Sequence, residues 1–421
     1  MDPRGTRTGT AAGPGADYQH RPRGWLRHYA GLAGPAGMEA SQLAFERDAG
    51  QRLRLLGAAA GRRLRRRTPT MRSLVALPGG RLRWRDVPAP PPPGPLAATV
   101  RPLAVATCDM DRPLLLGATP LPLPVQLGHE CVAEVVEVGQ RVTGSRPGDR
   151  VVVPFQIGCG GCIPCRAGRQ GSCRTVPPMS MYGFGLAGGP WGGALADLLA
   201  VPYADAMLVP LPAGVDPTAA ASVCDNVADG YKHVAPHLPA LLAEDPDTEV
   251  LVIGGVARHP VYTGSVPLYC GMAALGARRQ ARAPGRQPAQ PARARRAARA
   301  GRTDAGRGPP TPPGTAGGRR QRGPGGAGPG AGQDRPRRHL QQHRRPAPPG
   351  AVPMLRSYAR NLTLLMGRTP SRRLIPPVLE LMVSGTLRPE TVTTAVVPLD
   401  EAPAALREHL GERAVKTIFV S

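Results

Sequence analysis

The apolar and polar positions divide the chain into stretches that obey different rules. From Met71, MRSLVALPGGRLRWRDVPAP reads as a strand, a Gly-Gly turn and a second strand. VAEVVEVG and DRVVVP are again strand-like, rich in β-branched residues and punctuated by Gly and Pro. Many short strands with few helices over residues 71–225 predict a partly open β-barrel. TEVLVIGG is a short apolar run closed by glycine, and SVPLYCGMAALGA behind it reads as a helix. Strand, glycine turn, helix is how a parallel α/β nucleotide-binding unit opens, with the helix N-terminus facing the pyrophosphate. Apolar spacing returns after Ala351: a helix over Pro376 to Val383 stopped by Gly385, then strand, turn and helix in TTAVVPLDEAPAALREHL, and a closing strand in VKTIFVS.

Two stretches lack such a pattern. Residues 1–70 show no sustained periodicity. One amphipathic helix is conceivable there, with Leu43, Leu53, Leu55 and Leu56 near a common face and a basic tail, Arg62 to Arg67, able to touch nucleic acid or lipid; the preferred expectation is a disordered extension or translation from an upstream start. Residues 280–350 contain no Val, Ile, Met, Phe, Trp or Tyr and a single Leu, Leu340. A segment without apolar side chains cannot offset its conformational entropy by burial, so 279–350 is also expected to be disordered. Charge follows the same division. Of the formal +25, +8 lies in residues 1–70 and +14 in 280–350, leaving only +3 for everything else. Phosphate binding by the arginines of 280–350 is the competing function, but no aromatic residues interleave for base stacking.

Candidate chemistry is concentrated in the strand-rich part. Cys159, Cys162, Cys165 and Cys173 stand in GCGGCIPCRAGRQGSC with spacing C-x2-C-x2-C-x7-C. One loop can carry four thiolates to the corners of a tetrahedron at this spacing, as a closed structural zinc site requires. Two disulfides, or an iron–sulfur cluster, are the alternatives. Upstream lie Cys108 and the GHE of Gly128, His129 and Glu130, and downstream Asp225 in ASVCDNVADGY. Cys, His and Asp together would leave a fourth position open, the arrangement of a catalytic zinc. Of the remaining cysteines, Cys131, Cys224 and Cys270, buried free thiols are expected.

These motifs, with VEVGQRVTGSRPGDRVVVP, VLVIGG and the terminal VLELMVSGTLRPETVTT and PLDEAPAAL, make the chain resemble the zinc-containing alcohol dehydrogenases of the medium-chain dehydrogenase/reductase family, from Met71 to about Arg278 and from about Ala351 to Ser421. The resemblance implies an α/β protein: a GroES-like β-barrel catalytic domain (71–229 and 362–421) plus a Rossmann-type nucleotide-binding domain that is incomplete here (230–278 and 351–361). It implies two zinc ions per chain and NAD or NADP. The catalytic zinc would sit on Cys108, His129 and Asp225, the last matching the formaldehyde-dehydrogenase-like branch, with adjacent Cys224 as a substitute. The structural zinc would sit on Cys159, Cys162, Cys165 and Cys173. Glu130 is implied as a neighbouring or transient ligand, and Asp111 as a hydrogen-bonding orienter of a ligand, with a surface-loop carboxylate as its alternative. Cofactor contacts fall on Gly254, Gly255, Gly264, Ser265 and Val266, although about seven extra residues near 258–264 interrupt the glycine pattern and Pro267 stands where a third glycine is usual.

Two departures bear on function. Met110 stands where many members carry a proton-passing Ser or Thr, so a proton would have to use water, Asp109 or another group; His233 is a candidate relay, with a helix-surface role as the alternative. Family-like sequence also stops near Arg279 and returns near Ala351. Two compensating shifts of reading frame in GC-rich coding sequence would produce this loss and recovery. The expected activity is hydride transfer between a small alcohol and its aldehyde or ketone by a homo-oligomer in the cytoplasm. Nucleic-acid binding is not expected. No run of about 20 apolar residues suggests a membrane span. The competing readings are a catalytically impaired zinc-binding relic and a basic nucleic-acid-associated zinc protein.

Overall fold

A computed structural model of the chain describes residues 69–116, 123–252, 264–282, 354–410 and 414–421, with isolated positions at 53, 57, 60, 61, 339 and 340. The helix expected around Leu43 to Leu56 and the disorder expected in 1–70 and 279–350 fall, apart from the positions just given, outside the described residues. The chain divides into two units, one of residues 1–282, 343–346 and 367–421, the other of 283–342 and 347–366. In the second unit, a helix at Met354–Ala359 precedes a two-residue parallel pairing of Thr363–Leu364 with His339–Leu340.

The first unit carries two sheets. Strand β1 (Thr70–Leu77) turns through Gly79 and Gly80, both at positive φ, into β2 (Arg81–Pro88) and pairs with it antiparallel; β4 (Val125–Gln126) closes this three-stranded sheet on the other edge of β1. The larger sheet is built on β3 (Ala98–Ala106) and β5 (Glu130–Val138), antiparallel with Ala106 opposite Glu130. β6 (Arg150–Val153) and β8 (Val209–Pro210) extend it beyond β5, and β7 (Leu199–Val201) pairs with β3. On the far side, β10 (Thr417–Val420) lies antiparallel to β3, and β9 (Ala395–Pro398) runs parallel to β10.

Alternation along the central strands serves two cores. Cys131, Ala133, Val135, Val151 and Val153 face a core completed by Leu74, Tyr182 and Phe419. Val132 and Val152 point the other way, into a core shared with helices. Those helices are α2 (Ala228–Val234), α3 (Leu238–Glu244), α4 (Val266–Arg282) and α5 (Ser371–Val383), following the short α1 (Asp111–Leu115) near the end of β3. Helix α6 (Ala402–His409) leads toward β10.

Three sequence expectations change. The helix expected over Pro376 to Val383 begins at Ser371 and carries Pro376 and Pro377 within it, because buried Ile375 extends its apolar face N-terminally to the prolines. Helix α4 runs to Arg282, beyond the SVPLYCGMAALGA stretch that ends at Ala277, so residues 279–282, expected to be disordered, are helical. The strand expected in TEVLVIGG is absent over its described part, and Val250, Leu251 and Val252 are exposed by 39%, 79% and 36%. A strand of a parallel sheet needs neighbours on its edges and cover on both faces. Among the described residues no strand pairs with this segment.

Candidate active site and metal centres

Strand register assembles the first donor set. Because Ala106 opposes Glu130, the C-terminal end of β3 and the N-terminal start of β5 lie at one edge of the sheet. Cys108 follows the first and His129 precedes the second, so residues 21 positions apart in sequence become neighbours. β10 starts at the same edge, where Thr107 N–H donates to the Thr417 carbonyl, and delivers Lys416 there. A π-helical turn, Val223–Val227, supplies Asp225 and Asn226. Such turns widen a helix locally and recur at functional sites. Gly128 holds φ +89°, and a Cβ on it would lie 2.6 Å from the Leu195 amide nitrogen, which explains the glycine of GHE.

The ligand atoms of Cys108, His129, Glu130 and Asp225 all lie within 4.8 Å of one another. Asp225 Oδ2 is 3.2 Å from Cys108 Sγ and 3.2 Å from His129 Nε2. Donor pairs around tetrahedral zinc are expected about 3.4–3.6 Å apart for this mixture of S, N and O. Glu130 is fully buried, and its Oε1 has no hydrogen-bond partner among the described residues. An unpartnered carboxylate oxygen next to a thiol, an imidazole and a second carboxylate is a donor set that calls for a cation. Protonation chemistry agrees. Burial, and then the Asp225, Glu130 and Asp111 charges, push the Cys108 thiol well up, and burial pushes the Glu130 and Asp111 carboxyls up. A bound divalent ion reverses each of these costs.

The surroundings are specific. Asp111 is buried, not on a surface loop, and its carboxylate accepts from the Cys108 amide at 2.8 Å, fixing the cysteine's backbone. Cys224 donates toward the His129 carbonyl at 3.6 Å and lies outside the donor cluster, so Asp225 is the residue brought to the site. Phe155 and Phe184 pack on the His129 ring, with centroids 5.7 and 4.9 Å away. His233 pairs with Asp229 on α2 at 3.7 Å.

Two polar residues not singled out by their sequence, Lys416 and Asn226, join this site, as does Asp109, expected there only as a proton route. Lys416 is fully buried and donates to Glu130 Oε2 and to Asn226 Oδ1, each at 2.7 Å. Burial disfavours its charge, but Glu130 outweighs this and holds the ammonium above its usual range. Asn226 also donates toward Cys108 Sγ at 3.5 Å and accepts from Ser265 Oγ at 3.1 Å. Asp109 accepts from the backbone of Ser265 and Val266. Of the expected cofactor residues, Gly264, Ser265 and Val266 thus stand at the N-terminus of α4; Gly254 and Gly255 lie outside the described residues.

The second set is the cysteine lobe. Cys159 and Cys165 sulfurs are 4.0 Å apart, and Cys162 and Cys173 sulfurs 3.9 Å apart. A tetrahedron of thiolates at about 2.3 Å from zinc has an edge of roughly 3.8 Å. Disulfide sulfurs would be bonded at about 2.05 Å, and all four cysteines are free. Burial works against the Cys162 thiolate, yet the amides of Arg174 and Cys165 bring its pKa down to about 6, while burial and then Cys162 push Cys165 up.

Residues 94–213 match the family described as the alcohol dehydrogenase GroES-like domain. Over 361 residues, 81% of this chain and 87% of the other, the sequence is 30% identical to a probable zinc-binding alcohol dehydrogenase of Mycobacterium tuberculosis. The chain belongs to the zinc-binding alcohol dehydrogenases. A shorter match, 35% identity over 150 residues, 34% of this chain and 37% of the other, joins this dehydrogenase-family chain to a glutathione-independent formaldehyde dehydrogenase of Pseudomonas aeruginosa. The alcohol dehydrogenase TADH from Thermus sp. ATN1 shares the fold, with TM-score 0.57 and 24% identity over 83% of this chain and 99% of that one. No described helix is long and apolar enough to cross a membrane.

Proposed function

We propose that the chain is a zinc-dependent, NAD(P)-linked oxidoreductase that moves a hydride between a small alcohol and its aldehyde or ketone. The observation that carries this reading is the convergence of Cys108, His129 and Asp225, with the unpartnered Glu130 Oε1 beside them, at one sheet edge. We assign these residues to a catalytic zinc and Cys159, Cys162, Cys165 and Cys173 to a structural one. Domain limits of 71–229 with 362–421, and 230–278 with 351–361, and a homo-oligomeric state, belong to the same proposal.

Zinc supplies Lewis-acid polarisation of the substrate oxygen, and nicotinamide the hydride acceptor or donor. The rest falls to the chain. Asp111 fixes Cys108 through its amide, and the packed rings of Phe155 and Phe184 hold His129 and keep water from one side of it. Lys416 balances Glu130, so that the donor set does not carry all its negative charge unopposed. Met110 donates its amide toward Cys108 Sγ at 3.4 Å, and its thioether cannot relay a proton.

The exposed Val250 to Val252 segment favours a second reading, a zinc protein of this ancestry with weakened cofactor binding. Metal analysis and dinucleotide titration separate the two. Two zincs per chain with NADH or NADPH binding and alcohol oxidation are expected for the enzyme; two zincs without dinucleotide binding would leave the second reading. His129→Ala should reduce the metal to about one zinc per chain, retained by the closed four-cysteine site. Unchanged metal content in that variant would remove the catalytic assignment.

A further inference from the structure

Helix α4 begins where a dinucleotide's pyrophosphate is expected, and a carboxylate is already there. The first intrahelical bond runs from Tyr269 N–H to the Ser265 carbonyl, so the N–H groups of residues 265–268 have no partner within the helix. Asp109 Oδ1 accepts from Ser265 N at 2.7 Å and from Ser265 Oγ at 2.8 Å, and Oδ2 accepts from Val266 N at 3.1 Å. Pro267 has no N–H. Of the four positions, that leaves Leu268. Space for the carboxylate comes from Gly264, where a Cβ would stand 2.5 Å from Asp109 Oδ2. Ser265 is fully buried and also bonds Asn226, which anchors a half-buried Asp109 to the interior.

We propose that Asp109 sets cofactor affinity by acting as an internal anion at the N-terminus of α4, in competition with the pyrophosphate of the dinucleotide. This rests on the nicotinamide reading above. Two anions cannot share one helix end. The partial positive charge there favours a single negative group, and the amide donors taken by Asp109 are those a phosphate needs. Binding therefore requires Asp109 to leave, and its departure is charged against cofactor affinity. Asp109 adjoins Cys108, so the same movement connects cofactor arrival to the backbone of a proposed metal ligand.

The test uses the full-length, zinc-loaded chain and Asp109→Asn, which keeps an acceptor for the Ser265 amide but loses the charge. NADH affinity is followed by nicotinamide fluorescence, and each protein is melted with and without inorganic pyrophosphate. NADH should bind about tenfold more tightly to the variant, and pyrophosphate should raise Tm of the variant alone. Ser265→Ala, which removes one of the three bonds holding the carboxylate, should shift NADH affinity the same way by less, and provides a second background if the first folds poorly. Equal NADH affinity in all three proteins overturns the role of Asp109 and leaves the cofactor reading standing. If no dinucleotide binds any of them, yet pyrophosphate protects only Asp109→Asn, the cofactor reading fails and the internal anion stands. Absence of pyrophosphate protection in Asp109→Asn overturns the proposal.

Discussion

Glu130 and Lys416 are the residues on which the charge of the donor set turns. Both side chains are wholly buried, and their 2.7 Å contact is the only hydrogen bond to the carboxylate among the described residues, its other oxygen being unpartnered. Removing one partner of such a pair leaves an uncompensated buried charge, which costs about 3–5 kcal/mol. Lys416→Met is expected to lose stability on that scale in urea unfolding of the metal-free chain, and Glu130→Gln in the same background to recover most of it. Failure of the second substitution to recover stability would show that Lys416 acts through its packing instead. The four lobe cysteines and Cys108, His129 and Asp225 are legible in sequence because ligand chemistry restricts the residue types and local spacing advertises them. Lys416 was not legible as a site residue: a lone lysine before a closing strand reads as a solvated charge, and only the β3–β10 pairing carries it 286 positions back to Glu130. Asn226 is hidden for a related reason, since an amide beside a ligand carries no spacing signal of its own, and the sequence marks Asp109 only as a proton route, not as a partner of the Ser265 and Val266 amides.

At the scale of elements, the strands of the large sheet follow from β-branched runs and turns, and both hairpin partners β1 and β2 stand where the Gly-Gly turn puts them. Less legible was how α6 is fastened to β10. His409 in the last turn of α6 faces Thr417 Oγ1 at 3.1 Å. Burial, then the Lys416 and Arg112 charges, lower its pKa from 6.5 to about 3. The folded protein therefore refuses a proton that the unfolded chain accepts. Stability from this source is complete above pH 6.5 and is lost as pH falls toward 3, with a slope of up to about 1.4 kcal/mol per pH unit. His409→Gln should flatten the stability profile in that window, measured as urea midpoints at successive pH values. An unchanged slope would assign the acid sensitivity elsewhere. The segment 248–252 marks the limit of reading elements locally: its apolar run is that of a buried strand, but burial is conferred by neighbours, and here it stays exposed.

For the whole molecule, two compensating shifts of reading frame would account both for a 250–252 segment that pairs with no strand among the described residues and for the uneven charge. A nucleotide-binding sheet would draw its next strands from residues 279–350, where apolar side chains are all but absent and +14 of the +25 net charge resides from 280 onward. Arg, Gly, Pro and Ala dominate that stretch, and these are the residues whose codons can begin with two G or C letters. A shifted frame in GC-rich DNA yields this composition without any selection for folding, and a second shift would restore the original pattern, which the return of apolar spacing after Ala351 matches. Sequencing the coding DNA through codons 275–352 should reveal two compensating shifts whose correction returns apolar residues at strand and helix spacing. The corrected chain should then bury Val250 to Val252, protect their amides from hydrogen exchange, and lose most of the +14. A confirmed, uninterrupted frame, with related proteins carrying the same arginine-rich segment, would instead make the segment an authentic insertion. In that case the exposed segment at 250–252, and whatever cofactor affinity the chain retains, would be properties of the native protein.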